Sequence, residues 1–343
     1  MTTPYSSDKA FLHADRIKRL LGGEITPPVT MDLWLTGRCN QACKWCVRET
    51  YRAGGQGDLP WLALERLIKD SAGMGLRGVV FSGGEPTIYQ SDGHGLIDAM
   101  LLCTSYGLDV GLITNGAALG PLIPKFDDFN LLKLKFVRVS LDAGTSKTYA
   151  ALHTVPDTAF KIVLDNLFKL MLECPPDCSI GISYVVTNDN WREIPQAIAI
   201  AADVGLDTVL FRTDVGRGDA HPGLPRVASV LLEQEAAKHP EIAIANRIEE
   251  PPPGSAPACR ATPLVAVVSP DAKLNVCCSL AGRPEYQWGD LRTERFKELW
   301  GCQRHQDILA KLAEAPCPAT CRMIGYNKAI QAVKEDSIHQ NIL

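Results

Sequence analysis

The chain has 343 residues, enough for one large domain or a barrel with a smaller appended domain. Its hydrophobic fraction of 46% and charged fraction of 22% are those of an ordinary globular protein. At a net charge of -4 no global basic field draws it to nucleic acid or anionic lipid, and no apolar run reaches the ~18 residues of a transmembrane helix. The first thirty residues lack an apolar h-region and a small-residue cleavage site, so no signal peptide is expected and a cytoplasmic location is.

Residues 8–22, DKAFLHADRIKRLLG, carry apolar residues at helical spacing and stop at Gly22-Gly23. They predict a short leading helix within an N-terminal segment, residues 1–30. After a turn at Pro27-Pro28 come six strand-like runs: MDLWLT (31–36), GVVFSG (78–83), DVGLITNG (109–116), FVRVSLDA (136–143), SIGISYVVT (179–187) and TVLFRTDV (208–215). Segments such as LPWLALERLIKDSAGMG and TAFKIVLDNLFKLMLE separate them with i, i+3, i+4 apolar spacing. Strands alternating with helices predict an α/β fold, a partial (β/α)6 TIM-like barrel over residues 31–220. Several strands end in polar or Gly-rich motifs: RCNQACKWC, SGGEPT, TNG, SLDAG and RTDVGRGD. Barrels carry their chemistry on the loops after the strands, so these motifs are expected on one face.

Beyond residue 216 the pattern changes. The loop GRGDAHPGLPR and the breaker EEPPPGSAPA flank a helical run, VASVLLEQEAAKH. A hairpin-like stretch follows, PLVAVVSPDAKLNVCC, turning at Pro270-Asp271, then a helix RTERFKELWGCQRHQDILAKLAE and the segment CPATCR. A boundary near 220 makes residues 221–343 a small C-terminal β-hairpin/helix domain.

The twelve cysteines fall into groups. In a cytosolic protein such a number points to metal or redox chemistry rather than disulfides. Cys39, Cys43 and Cys46 lie on one loop. Cys259, Cys277, Cys317 and Cys321 fall in the last quarter, with Cys278 beside one of them. Cys103, Cys174, Cys178 and Cys302 are scattered. CxxxCxxC offers three soft thiolates and leaves the fourth iron of a cubane open to a chelating ligand. The alternatives are three buried thiols or zinc, although zinc needs a fourth nearby ligand and His13 and His94 are poorly placed. For the second group the alternative is a zinc ribbon.

Cys39, Cys43, Trp45 and Cys46 match the CxxxCxΦC motif of the radical S-adenosylmethionine (SAM) superfamily, and Gly83, Gly84, Glu85 and Pro86 match its GGEP motif. The chain thus resembles that superfamily over its first two β/α units. The resemblance implies a four-iron four-sulfur cluster on Cys39, Cys43 and Cys46, with SAM chelated at its open iron. Trp45 is expected near the adenine, or simply covering the cluster. GGEP backbone carbonyls and Glu85 are expected at the SAM amino group. Ser140 and Asp142 after the fourth strand, and Thr114 and Asn115 after the third, are either further cofactor contacts or plain turn caps. Many relatives carry a basic residue after the SLDA-type strand. Here only Lys147 and His153 are offered, so that contact is unassigned.

Cys259, Cys277, Cys317 and Cys321 resemble the twitch subdomain, a shortened SPASM extension that holds an auxiliary four-iron four-sulfur cluster. Cys277 matches that pattern better than Cys278, and adjacent residues on a strand face opposite ways. An electron sink beside a SAM site implies oxidation of substrate, with a flavodoxin- or ferredoxin-type reductant. Only about thirty residues precede the barrel, too few for a leader-peptide-binding domain. The expectation is therefore dehydrogenation of a small carbohydrate-like substrate, a sugar or aminocyclitol alcohol in natural-product biosynthesis. Epimerisation, diol dehydration and peptide or protein maturation are the enzymatic alternatives, and an iron–sulfur electron carrier is the non-enzymatic one. Arg212, Asp214 and Tyr184 are the candidates for substrate chemistry in the cavity.

Overall fold

Alternate residues of the expected strands are apolar, and in the structure those residues meet helices across one face of a single sheet. The computed structural model describes residues 6–46, 57–128, 133–175, 177–213, 223–248, 259–314, 321 and 323–334. Strands β1 (Thr30–Thr36), β2 (Gly78–Gly83), β3 (Asp109–Thr114), β4 (Leu134–Ser140), β5 (Ser179–Val186) and β6 (Thr208–Thr213) are parallel neighbours in chain order. These are the six expected strands. A further strand, β7 (Ala243–Arg247), continues the parallel array beside β6. Its sequence AIANR offers no strong apolar run, so it was not legible beforehand.

Three more strands lie on the other side of β1. Strand β8 (Val265–Val268) runs parallel to β1, and β9 (Lys273–Asn275) and β10 (Gln287–Asp290) follow antiparallel. The order is β10-β9-β8-β1-β2-β3-β4-β5-β6-β7, and among the described residues the sheet does not close. This is the open, partial TIM-like architecture expected from the repeated β/α units. The β8–β9 turn falls at Ser269–Ala272, where Ser269 and Ala272 backbones bond and Asp271 accepts from Ser269 Oγ.

Met31, Leu33 and Leu35 of β1, Val79 and Phe81 of β2, and Ile180 and Ile182 of β5 are buried in one cluster. They share it with Leu64, Leu67 and Ile68 of helix Trp61–Met74, Ala99 and Met100 of helix Leu96–Ser105, and Val163 and Leu167 of helix Thr158–Glu173. Each such side chain contributes about 1.5–3 kcal/mol by leaving water. The intervening strand residues face the other way and are largely polar: Asp32, Ser82, Arg138, Ser140, Ser183, Thr208 and Arg212. Parallel register carries this face from strand to strand, through Trp34↔Ser82, Arg138↔Gly181, Ser140↔Ser183 and Arg212↔Arg247.

Two expected helices differ. The leading segment is a 3-10 turn, Ser7–His13, followed by an α-helix, Ala14–Leu21. Arg16 pins it by donating to Pro27 O and Pro28 O through Nη1, at 2.9 and 2.7 Å, and to Gly75 O through Nη2. The helix expected from residue 292 is broken into Phe296–Leu299 and Gln303–Glu314: Trp300 leaves helical geometry at a ψ of 113°, and Gly301 follows with a φ of +87°. No helix among the described residues is long and apolar enough to cross a membrane.

Gly181 on β5 is packed so that a Cβ would lie 2.0 Å from Thr208 Oγ1 and 2.4 Å from Thr208 O. Gly181→Ala is therefore expected to lower stability by about 1–3 kcal/mol, read from urea unfolding. Gly73, on the exposed side of its helix with nothing within 4 Å of a Cβ, is the contrast. Gly73→Ala should raise stability by about 0.5–1 kcal/mol in the same assay.

Candidate active site

The loop after β1, residues 37–46, has no regular structure of its own and carries Cys39, Cys43 and Cys46. Neighbouring backbone holds it on two sides. Gly84 N donates to Thr36 O and Glu85 N to Arg38 O, each at 2.8 Å. Opposite, Ala42 N donates to His153 O and Lys44 N to Leu152 O, each at 3.1 Å, at the end of helix Ser146–His153. Gly83 and Gly84 are required by this approach. A Cβ on Gly84 would lie 2.0 Å from Arg38 O, and Gly83 has a φ of +126° with Thr36 O 2.8 Å from where its Cβ would be.

Glu85 is 1% exposed. Its Oε1 accepts from Thr87 N at 3.1 Å and from the Thr87 and Thr114 hydroxyls at 2.6 Å, and its Oε2 accepts from Asn115 N at 2.7 Å. Burial pushes its carboxyl up while these donors pull it down. The side chain thus ties the end of β2 to the end of β3. Asn115, held this way, donates from Nδ2 to Asn40 Oδ1 at 2.6 Å and faces Cys39 Sγ at 3.9 Å.

Asp142 follows β4 with a φ of +54°. Its Oδ1 accepts from Val185 N at 2.6 Å, and its main-chain oxygen accepts from Asn190 Nδ2 at 2.8 Å. Burial raises its carboxyl to about 7, against the pull of the Val185 N–H and Arg212. His153 is fully buried and stacks on Tyr149 at 4.2 Å. Its Nδ1 lies 3.1 Å from Cys43 Sγ and 2.9 Å from Gln41 Oε1, and its Nε2 lies 3.2 Å from Leu141 O. Burial lowers its pKa to about 4. Sequence reasoning left His153 unassigned. Gln41, Tyr149 and Asn190 were not singled out at all, though Gln41 stands between two of the loop cysteines.

Burial raises the pKa of Cys39 and, more strongly, that of Cys43, and each also feels Cys46. Thiolates gathered in such a pocket need a cation to be stable. That donor set fits an iron–sulfur cluster. Among the described residues no three Cys, His, Asp or Glu side chains converge on one metal-ion position. A cubane instead takes its thiolates on separate irons. Trp45, 9% exposed, packs with Leu152, Val185 and Cys43 and meets His153 edge-on at 5.4 Å.

Val185 places the cysteine loop on the polar side of the sheet, because its register partner is Arg212, which in turn pairs with Arg247. Ser140 Oγ and Ser183 Oγ lie 3.5 Å apart on that side, and Asp32 Oδ1 accepts from Ser82 Oγ at 2.6 Å and Trp34 Nε1 at 3.1 Å. Tyr184 is a correction. Strand alternation turns it to the apolar side, where it is fully buried against Phe211 and donates to Asn190 O at 2.8 Å. Asp214 lies outside the described residues.

Near β8 and β9, Cys259 Sγ lies 2.6 Å from Thr262 Oγ1 and accepts from Asn327 Nδ2 at 3.8 Å. Cys277 lines a small cavity with Thr262, Val265, Val276 and Met323. Burial lifts its thiol to about 12, with Cys278 and Cys321 adding to the rise. Cys321 Sγ accepts from Met323 N at 3.4 Å. Cys278 packs instead with Trp34 and Val267. Cys317 lies outside the described residues.

A family model described as the Radical SAM superfamily matches residues 35–201. A "Probable GTP 3',8-cyclase" of Thermococcus kodakarensis is 30% identical over 222 residues, covering 64% of this chain and 68% of that protein. A second protein of that description, from Pyrococcus horikoshii, is 29% identical over 143 residues, and the match spans only 42% of its length. The crystal structure of Streptococcus suis SuiB bound to S-adenosylmethionine shares the fold, with a TM-score of 0.67 at 13% identity over 96% of this chain and 77% of that one.

Glu85→Ala removes the acceptor of two backbone N–H groups in a buried place. It is expected to cost about 2–4 kcal/mol in urea unfolding, with Glu85→Gln milder.

Proposed function

Because the chain belongs to the Radical SAM superfamily, we propose that it is a radical SAM oxidoreductase acting on a small polar substrate, of the sugar or aminocyclitol alcohol type. The observation that carries this reading is the cysteine loop clamped between the GGEP loop and the end of helix Ser146–His153, facing a polar lumen. Cys39, Cys43 and Cys46 would hold the first four-iron four-sulfur cluster. When bound, it would supply one electron to SAM, releasing methionine and a 5′-deoxyadenosyl radical that takes a hydrogen atom from substrate.

The chain's own residues divide the remaining work. Glu85 spends its hydrogen bonds on its own fold, so it positions Asn115 and the loop, and the Gly83–Gly84 backbone is left to receive the SAM amino group. Trp45 fills the space beside Cys43, where a planar base would stack. Asp142 fixes the β4 and β5 ends, with Ser140 beside it on the lumen side. Arg212 sits in the lumen to orient substrate, and Asp214, two residues on, is the base we assign to an alcohol proton.

Cys259, Cys277, Cys317 and Cys321 would hold an auxiliary four-iron four-sulfur cluster in a domain spanning 221–343. It would take the electron that the substrate radical loses, making the net change a two-electron oxidation. A second reading is favoured by Arg138, Arg212 and Arg247 on one sheet face. Those guanidiniums suit an anionic substrate such as a nucleotide, the class named for the two cyclases above.

Anaerobic reduction with SAM should release 5′-deoxyadenosine, seen by chromatography, and Cys39→Ala should abolish it. Iron and sulfide analysis should give about eight irons per chain, against about four if the second site holds zinc. Wild-type protein loaded with iron that leaves SAM intact would sink the reading.

A further inference from the structure

The two cysteine groups share one device. At the first, Asn115 Oδ1 accepts from Ala117 N at 3.0 Å, so its Nδ2 is the end turned to Cys39 Sγ. At the second, Asn327 Oδ1 accepts from Arg260 N at 2.8 Å and from Ala261 N at 2.7 Å. Backbone N–H groups only donate, so this amide cannot be turned over, and its Nδ2 must face Cys259 Sγ at 3.8 Å. Asn327 is 2% exposed and sits in helix Ile324–Lys334, just after Cys321. A buried amide is costly unless its polar atoms are bonded, and here the sulfur is what Nδ2 meets.

We propose that Asn327 is a positioning residue for the C-terminal iron–sulfur site, fixing Cys259 through its two backbone neighbours and donating an N–H···S hydrogen bond to its thiolate. The inference rests on reading Cys259, Cys277 and Cys321 as cluster ligands. Adding an electron makes a cluster more negative, so an N–H dipole aimed at a ligating sulfur stabilises the reduced state more than the oxidised one. The bond therefore raises the potential of the auxiliary cluster and suits it to accept the electron of a substrate radical, whose proton leaves to a base. Thr262 Oγ1, 2.6 Å from the same sulfur, acts in the same direction. The residue lies far along the chain from Cys259, and nothing in the cysteine spacing announces it.

The test uses full-length protein reconstituted with iron and sulfide, with both clusters followed by EPR during a redox titration. Asn327→Leu removes the donor without adding charge. Asn327→Asp keeps the oxygen that accepts from Arg260 N and Ala261 N but loses the donor. Both are expected to lower the midpoint of the auxiliary cluster and leave that of the SAM-site cluster in place. An unchanged auxiliary midpoint in both variants, at wild-type iron content, overturns the inference while the cluster assignment stands.

Should Asn327→Leu fail to load, a second measurement decides on the Cys39→Ala/Cys43→Ala/Cys46→Ala chain, which keeps only the C-terminal site. With asparagine side chains labelled with 15N, pulsed EPR of the reduced cluster should show a weak amide-nitrogen coupling that Asn327→Asp abolishes. Absence of that coupling refutes the hydrogen bond. Zinc in place of iron at this site in the wild-type protein overturns the cluster reading, and the inference with it.

Discussion

A buried carboxyl with every hydrogen bond directed at its own chain sets the geometry of the site. Glu85 collects donors from Thr87, Thr114 and Asn115, and so joins the ends of β2 and β3. The cysteine loop has no helix or strand to fix it and depends on these neighbours for its shape. The GGEP backbone presses against residues 36–38 so closely that side chains at Gly83 and Gly84 would collide with carbonyl oxygens. Asn115, placed by Glu85, then reaches Asn40 and Cys39. The order of dependence runs from one carboxyl, through a neighbouring strand end, to the sulfur atoms.

The sheet sorts its residues by face, and the sorting decides which of them can do chemistry. Tyr184 and Val185 are adjacent, yet the first is packed under helices and the second touches Trp45. The C-terminal residues are joined to the same sheet by more than one kind of contact. Beyond the pairing of β8 with β1, Trp300 Nε1 donates to Thr26 O at 2.8 Å, and Arg295 forms a bidentate pair with Asp70. Both cysteine groups are thus referred to one framework through β1, which ends in the first group and flanks the strand that follows Cys259.

Much of this was legible in the sequence where local rules suffice. Six short strand-like runs with helical patterns between them predicted β1 to β6 within a few residues, and short cysteine spacings marked both groups. The parts that were missed depend on contacts distant in the chain. Strand β7 is held by pairing with β6 rather than by its own apolar residues, and β10 admits Leu299 against Gly289 where a Cβ would clash. Glu85 reads as a ligand contact from its motif alone, and its structural partners Thr114 and Asn115 are seen only at the end of the neighbouring strand. His153 looked like a poor substitute for a basic contact, whereas the fold turns it inward to Cys43. Tyr184 was misjudged because a strand's composition does not reveal which parity faces the lumen.

The pairing of Leu33 with Val268 also bears on how the chain reaches its folded state. During synthesis β1 emerges before β2 and finds it soon after, but its other edge stays open until β8, far along the chain, has been made. An unpaired edge of apolar strand beside a loop of free thiols is exposed to mispairing and oxidation for that interval. Closing it is a contact of high sequence separation, the kind that slows folding most. Slow cooling of growth, reducing conditions and iron supply during expression therefore act on the same vulnerable species, a nascent sheet whose first strand waits for its last neighbour.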